Sequence, residues 1–316
     1  HENSSAASDV YKRQYQMRAN QAIEVMHKYG KSFYWASFFL GKKHTYNAAV
    51  LYEFCRFLDD LADGNEKNKA KRLNQIATAI ASNKDLSQPC IRNFLTLSKN
   101  NEISVQPALE LIAGMQMDQT VFELKTEREL LRYSHAVAGT VGVMMCKLLG
   151  CKEKDAYAFA VDLGIAMQLT NIARDVLEDA NMGRRYIPEE WLSNPISVTE
   201  IAIGKSDIKK TIADAIKNLL TLSEKYYTSA FAGIKFLPLR SRLAIIIALR
   251  IYREIGIKLA KKQYNWWEGR TIITRGAKLL LTIRSIGDLF FLKSSEHDES
   301  LHIHLKGLSG VDCSTF

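Results

Sequence analysis

Between Gly164 and Asp179 the polar residues Gln168, Asn171, Asp175 and Asp179 fall at i, i+3, i+7 and i+11, while Ile165, Met167, Leu169, Ile172, Val176 and Leu177 fill most remaining positions. That spacing draws one narrow polar stripe along an otherwise apolar helix. A surface helix has the reverse pattern, an apolar stripe on a broad polar body. The stretch therefore predicts a buried helix whose polar stripe faces an internal cavity. Carboxylates in such a place need a partner, because burying an unpaired charge is costly. Asp and Asn oxygens with no His or Cys among them form a hard donor set, suited to Mg²⁺ rather than zinc, and Mg²⁺ shares its shell with water and phosphate oxygens. The alternative is an internal polar network in which Arg174 or Arg56 neutralises the acids.

A second acidic cluster lies upstream. In Leu51 to Asp63 the residues Tyr52, Arg56, Asp59 and Asp63 share one helical face, and Leu51, Phe54, Leu58 and Ala62 another. Like charges one turn apart, as at Asp59 and Asp63, destabilise an isolated helix by a few tenths of a kcal/mol, so a compensating cation is expected. Alone, this cluster reads as a solvated acidic patch at a helix end. Beside the buried stripe it reads as the other half of a metal site.

The rest of the chain is built to be helical. Only 5 prolines and 17 glycines interrupt 316 residues rich in Ala, Leu, Ile, Lys and Glu. Tyr15 to Leu61 predicts two helices with a break near Gly41-Lys42-Lys43. Further helices are expected over about Lys67–Ser82, Pro107–Phe122, Leu130–Gly150, Lys152–Glu178, Ile208–Phe231 and Leu239–Lys261. No period-2 segment argues for a sheet, and no repeat or linker divides the chain. The reading is one all-α domain over residues 15–293, preceded by a disordered or non-native leader at 1–14 and followed by a polar tail at 294–316. Thr271 to Lys293 mixes Leu279, Leu280, Leu281, Ile283, Ile286, Leu289, Phe290 and Phe291 with Arg275, Lys278, Arg284 and Lys293. It is expected mainly to pack on the core, with an anionic membrane surface as the alternative.

The net charge of +9 suits phosphorylated substrates, anionic lipid or nucleic acid equally. No basic run interleaved with aromatics supports nucleic acid, which is therefore not expected as a partner. Cys55, Cys90, Cys146, Cys151 and Cys313 form no C-x-x-C pair, so neither a disulfide framework nor a zinc ribbon is indicated and a reducing compartment is expected. No uninterrupted run of eighteen or so apolar residues predicts a bilayer span. Gly139-Thr-Val-Gly142 lacks a dinucleotide-binding pattern and reads as close helix packing or a kink. His302 and His304 have no third ligand nearby in sequence and are assigned no metal. Asn3-Ser-Ser5 fits a glycosylation pattern but is given no weight.

The Asp-x-x-x-Asp at Asp59 to Asp63 and the Asn-x-x-x-Asp-x-x-x-Asp at Asn171 to Asp179 resemble the paired motifs of the squalene and phytoene synthase family. Lys31-Ser-Phe-Tyr34, Val137-Ala-Gly-Thr-Val-Gly142, Gln168-Leu-Thr-Asn-Ile-Ala-Arg-Asp175 and Gly183-Arg-Arg-Tyr-Ile-Pro188 match in the same order. The resemblance spans about Ala22 to Leu280. It implies the isoprenoid synthase fold, a single helical bundle around a central cavity. It also implies a magnesium-dependent prenyltransferase, with Mn²⁺ as a substitute, in which Asp59, Asp63, Asn171, Asp175 and Asp179 hold the metal ions and Asp60 lies beside the first cluster. Ser32, Arg56, Arg174, Tyr252 and Arg270 fall where family members contact substrate diphosphate, and Tyr133 and Gln168, with Arg56, near the reacting carbons. Phe33 and Tyr133 are the aromatics expected to steady a carbocation.

Ile251-Tyr-Arg-Glu-Ile-Gly256 and Glu268-Gly-Arg270 are most similar to bacterial members that join two geranylgeranyl diphosphates to phytoene in carotenoid biosynthesis without NADPH. The alternatives are a squalene- or dehydrosqualene-forming member using farnesyl diphosphate, and a non-catalytic assembly-factor homologue. A cytoplasmic protein, peripheral at the inner face of a membrane, is the expected setting.

Overall fold

The protein is described by a computed structural model over residues 20–64, 66–84, 88–117, 122–292 and 295–311. The leader at 1–14, Asn3 and Cys313 lie outside the described residues. The helices in chain order are α1 (20–29), α2 (Lys31–Ser37), α3 (Lys42–Asp63), α4 (Lys69–Ala81), α5 (Pro89–Asn100), α6 (Gln106–Met117), α7 (Glu127–Ser134), α8 (Thr140–Leu148), α9 (Ala156–Asn181), α10 (Val198–Ala202), α11 (Lys209–Gly233), α12 (Leu239–Lys261) and α13 (Arg275–Asp288).

The apolar body of α9 fixes the architecture. Val161, Ile165, Leu169 and Ile172 are fully or almost fully buried, so the helix runs through the middle of the bundle with α11, α8 and α12 packed around it. By length and composition α9 could cross a bilayer, although polar residues interrupt its apolar run; here its burial is supplied by neighbouring helices. A second core forms around α3, where Leu51, Phe54 and Leu58 face α5 and α6, with Phe54 stacked on Phe94 at 3.9 Å between ring centroids. The central cavity lies between these two cores.

The segment expected as helical over Leu130–Gly150 is helical as far as Leu148, with a change of pitch inside it. α7 passes through a π-helical turn at His135–Gly139 before α8 begins. Close packing explains the glycines there: a Cβ on Gly142 would come 2.1 Å from the Ala160 carbonyl oxygen, and one on Gly164 2.3 Å from that of Ala138. α5, absent from the expected helices, is started by Pro89 at its first turn. The sole sheet among the described residues is a two-residue parallel pairing of β1 (Phe122–Glu123) with β2 (Arg184–Arg185).

Two expectations need correction. Residues 295–311 are not a free polar tail: Leu305 is fully buried, His302 is buried, and Tyr226 Oη donates to the Leu301 carbonyl at 2.8 Å. α13 does not bury most of its apolar side chains. Its inner face presents Lys278, Leu281, Thr282 and Ser285, and Trp35 Nε1 donates to Thr282 Oγ1 at 3.0 Å. Leu279, Leu280 and Ile283 therefore point outward, as do Phe290 and Phe291 just beyond the helix, where they are 81% and 78% exposed.

Candidate active site

The cavity has a volume of about 410 Å³. Along α9 it is lined by Ala156, Phe159, Ala160, Leu163, Gly164, Met167, Gln168 and Asn171, one continuous helical stripe. Fifteen residues at 1.5 Å each make that wall about 22 Å long. Its far end is apolar, and its near end reaches the acidic motif. Leu51, Tyr52, Cys55, Arg56 and Asp59 of α3 line the opposite side, so both motifs meet one space. Phe33 and Tyr252 also face it, with ring centroids 5.3 Å apart.

Of the residues expected in the site, Arg56, Asp59, Gln168, Asn171 and Tyr252 line the cavity directly. Asp63, Arg174, Asp175, Asp179 and Arg270 are not among the lining residues but belong to a polar network bordering it. Arg56 donates to Asp59 at 3.2 Å and also pairs with Asp60. Arg174 Nε donates to Asp175 Oδ1 at 2.7 Å, and Arg270 Nε lies 3.0 Å from the same oxygen, so two guanidiniums share one carboxylate. Asp175 also breaks the helical geometry of α9, with φ −106° and ψ 16°. Ser32 is half-buried on α2 beside Phe33 and is not a lining residue.

Tyr133 departs most from its expected place. It is buried and not among the lining residues, stacked on Tyr186 at 4.8 Å, with its hydroxyl donating to the Tyr186 hydroxyl at 3.1 Å. Tyr52, which carried no assigned role, lies 6.1 Å from Phe33 and lines the cavity beside Tyr252.

Sequence reasoning also missed Arg184. Its Nη1 donates to Asp63 Oδ1 at 2.7 Å, linking the end of α3 to a segment 121 residues later. Its charge is felt by both Asp59 and Asp179, so it stands between the two motifs. The β1–β2 pairing holds it there: Phe122 N donates to the Gly183 carbonyl at 3.1 Å and Leu124 N to that of Arg185 at 3.0 Å. The available signal was the pair of arginines in Gly183-Arg-Arg-Tyr-Ile-Pro188, a string with no function assigned to its charges.

The acids are crowded. Although 48% of the Asp59 side chain stays accessible, enclosure by surrounding atoms, followed by the charge of Asp63, pushes its carboxyl up to about 6. Burial, then the neighbouring Asp175, raises Asp179 well above the usual carboxylate range. Such shifts mark carboxylates short of positive charge. Asn171 Oδ1 is buried on the cavity wall without a hydrogen-bond partner among the described residues, a costly state for an amide oxygen that a bound cation would relieve. The all-oxygen donor set fits a divalent cation of the hard kind.

A helical bundle with two acid-bearing helices at the end of a long apolar cavity defines an isoprenoid-synthase type of enzyme, built to hold a charged head and an apolar chain. The chain belongs to the squalene/phytoene synthase family, whose profile matches residues 26–277. It is 33% identical over 279 residues to a 15-cis-phytoene synthase of Enterobacter agglomerans, covering 84% of this chain and 94% of that one. It is 30% identical over 291 residues to a 15-cis-phytoene synthase of Pantoea ananas, covering 88% and 94%. Among solved structures, a dehydrosqualene synthase in complex with ligand superposes with a TM-score of 0.78 at 27% identity, covering 88% of this chain and 99% of that one. The expected all-α isoprenoid synthase fold is thereby borne out.

Proposed function

We propose that the protein joins two geranylgeranyl diphosphates head to head, through a cyclopropyl diphosphate, to form phytoene. The observation that carries this reading is the cavity, apolar for most of its length and bounded at one end by Asp59, Asp63, Asn171, Asp175 and Asp179. Similarity to bacterial phytoene synthases over most of both chains supports the C20 substrate.

Those five residues would hold Mg²⁺, which would supply the positive charge that a departing diphosphate needs. Arg56, Arg174 and Arg270 present planar guanidiniums that match phosphate oxygens, and Ser32 and Tyr252 add hydroxyls. Phe33, Tyr52 and Tyr252 offer ring faces to the allylic cation, an attraction of about 0.5–2 kcal/mol each. The apolar wall excludes water, so the second prenyl double bond captures that cation, and loss of a first proton closes the cyclopropyl ring. Loss of the second diphosphate and of a proton gives the triene, and no hydride donor is needed. In this reading Tyr133 acts through its neighbours Tyr186 and Phe122 rather than at the reacting carbons.

The setting proposed is cytoplasmic, at the inner face of a membrane that receives the lipid product. The outward apolar residues of α13, with exposed Arg275 and Arg284 beside them, suit an anionic lipid surface.

The test is purified protein with Mg²⁺ and either geranylgeranyl or farnesyl diphosphate, with and without NADPH, followed by lipid analysis. Phytoene from the C20 substrate without NADPH is expected. Squalene appearing only with NADPH, or dehydrosqualene from the C15 substrate alone, would overturn the product. No coupled product from either substrate would sink the enzyme reading and favour the assembly-factor alternative. Asp63→Asn and Asp175→Asn should each abolish turnover with the far-UV CD spectrum unchanged.

A further inference from the structure

Nine residues before Asn171, and so about 13 Å along the α9 axis from it, Asp162 has a fully buried side chain. A buried carboxylate requires strong partners, and three groups converge on it. His297 Nε2 lies 2.8 Å from Oδ2, His302 Nε2 lies 2.8 Å from Oδ1, and Ser229 Oγ donates to Oδ2 at 2.5 Å. Both imidazoles turn the same ring nitrogen toward one carboxylate, with ring centroids 4.4 Å apart. The donor atoms of Asp162, His297 and His302 all lie within 4.8 Å of one another.

We propose that Asp162, His297 and His302 form a second metal site, for Zn²⁺, which staples the C-terminal segment to α9. Two ligand atoms each about 2.1 Å from a common ion, at angles between octahedral and tetrahedral, are about 3.0–3.4 Å apart. The 2.8 Å nitrogen-to-oxygen separations must open by a few tenths of an ångström, and the donor atoms, now spread over up to 4.8 Å, must draw together as side chains rotate to share one ion. Two imidazoles and a carboxylate suit zinc, unlike the all-oxygen set at the acidic end of the cavity, so the two sites differ in chemistry as well as place. Ser229 or water completes the shell. The partly exposed edge of His297 gives the ion a way in, and Phe159 meets that ring edge-on at 5.1 Å.

The ligands come from positions 135 and 140 residues apart in sequence. The segment they fix continues to Ser309, whose carbonyl oxygen lies 2.9 Å from His135 Nε2 and whose hydroxyl donates to Glu110 at 2.6 Å. One ion would therefore tie the C-terminal segment to the helix bearing the second acidic motif.

The test uses the full chain without a polyhistidine tag, stripped with chelator and titrated with Co²⁺ and then Zn²⁺. Wild type should bind one Co²⁺ with a visible d–d absorption of imidazole ligation, lose it to Zn²⁺, and melt at a higher temperature with Zn²⁺. His297→Gln, at the most exposed ligand, and His302→Gln should abolish the absorption. Each should weaken Zn²⁺ binding by more than the roughly tenfold to hundredfold that loss of an outer-shell partner costs. A Asp63→Asn/Asp175→Asn double variant should keep both signals, which separates this site from the cavity acids without recourse to activity. The proposal is overturned if wild type shows neither absorption nor a Zn²⁺-dependent melting shift. It is overturned equally if both signals survive in the histidine variants, or vanish in the aspartate double variant.

Discussion

Replacing Gly164 by alanine tests whether backbone contact between helices sets the position of the acidic stripe. The new Cβ would lie 2.3 Å from the Ala138 carbonyl oxygen and 2.6 Å from its carbon. A carbon meets a carbonyl oxygen at about 3.3 Å or more, so α9 and the π-helical turn must separate by about 1 Å. The obstacle is backbone, which cannot rotate away, so the cost should reach the upper end of the overpacking range, about 3 kcal/mol. Better helix propensity returns about 1 kcal/mol. The net loss of about 2 kcal/mol should lower Tm by about 3 °C in a domain of this size. Asn171 is two turns further along the same helix, and a 1 Å displacement of catalytic groups costs about a hundredfold in rate. Gly142→Ala, with a 2.1 Å approach to the Ala160 carbonyl oxygen, should behave alike. Gly276→Ala, where a Cβ meets nothing within 4 Å among the described residues, should be neutral or slightly stabilising. The assays are thermal unfolding by CD and product formation under saturating substrate. Wild-type Tm and turnover in Gly164→Ala would refute the claim that these glycines are required by close packing.

Arg184→Gln removes the cation between the two acidic motifs, and turnover should fall by roughly 10²–10³-fold, the loss seen when one preorganised charge-stabilising group is deleted; equal kcat in the variant would show that Arg184 only anchors the β1–β2 loop. Ala160→Phe places a ring toward the apolar far end of the α9 wall, so use of geranylgeranyl diphosphate should drop relative to farnesyl diphosphate in a competition assay, whereas an unchanged ratio would put the chain-length limit elsewhere. Phe290→Ser/Phe291→Ser should reduce co-sedimentation with anionic vesicles while leaving turnover of detergent-dispersed substrate intact, and undiminished binding would remove this face from the proposed membrane contact.

What could be read from the sequence follows from how local each signal is. Gln168, Asn171, Asp175 and Asp179 share one helix, so their common face is a consequence of the 3.6-residue period, and the structure places Gln168 and Asn171 on the cavity wall as that period requires. Asp59 and Arg56 were legible for the same reason, and the paired glycines at 139 and 142 read as close packing or a kink, which the approach of Gly142 to the Ala160 carbonyl resolves as packing. Arg184 was not legible as a site residue, because its value lies in a bond to Asp63 across 121 residues, fixed by a two-residue strand pairing too short to leave a pattern. Asp162, His297 and His302 were missed likewise: one residue is on α9 and two are in a segment whose polar composition suggested a tail, although Leu305 beside them is fully buried.

α13 shows the opposite failure, a local pattern read onto the wrong face. Its apolar residues looked like core, but the surface available beside α12 and α2 takes Leu281, Thr282 and Ser285, and it fixes the register through Trp35 and Thr282. Amphipathicity identifies two faces of a helix; which of them is buried depends on the shape and hydrogen-bonding needs of the surface it meets. The larger apolar face is therefore left outward. That is the physical reason for treating it as a surface with its own partner rather than as imperfect packing.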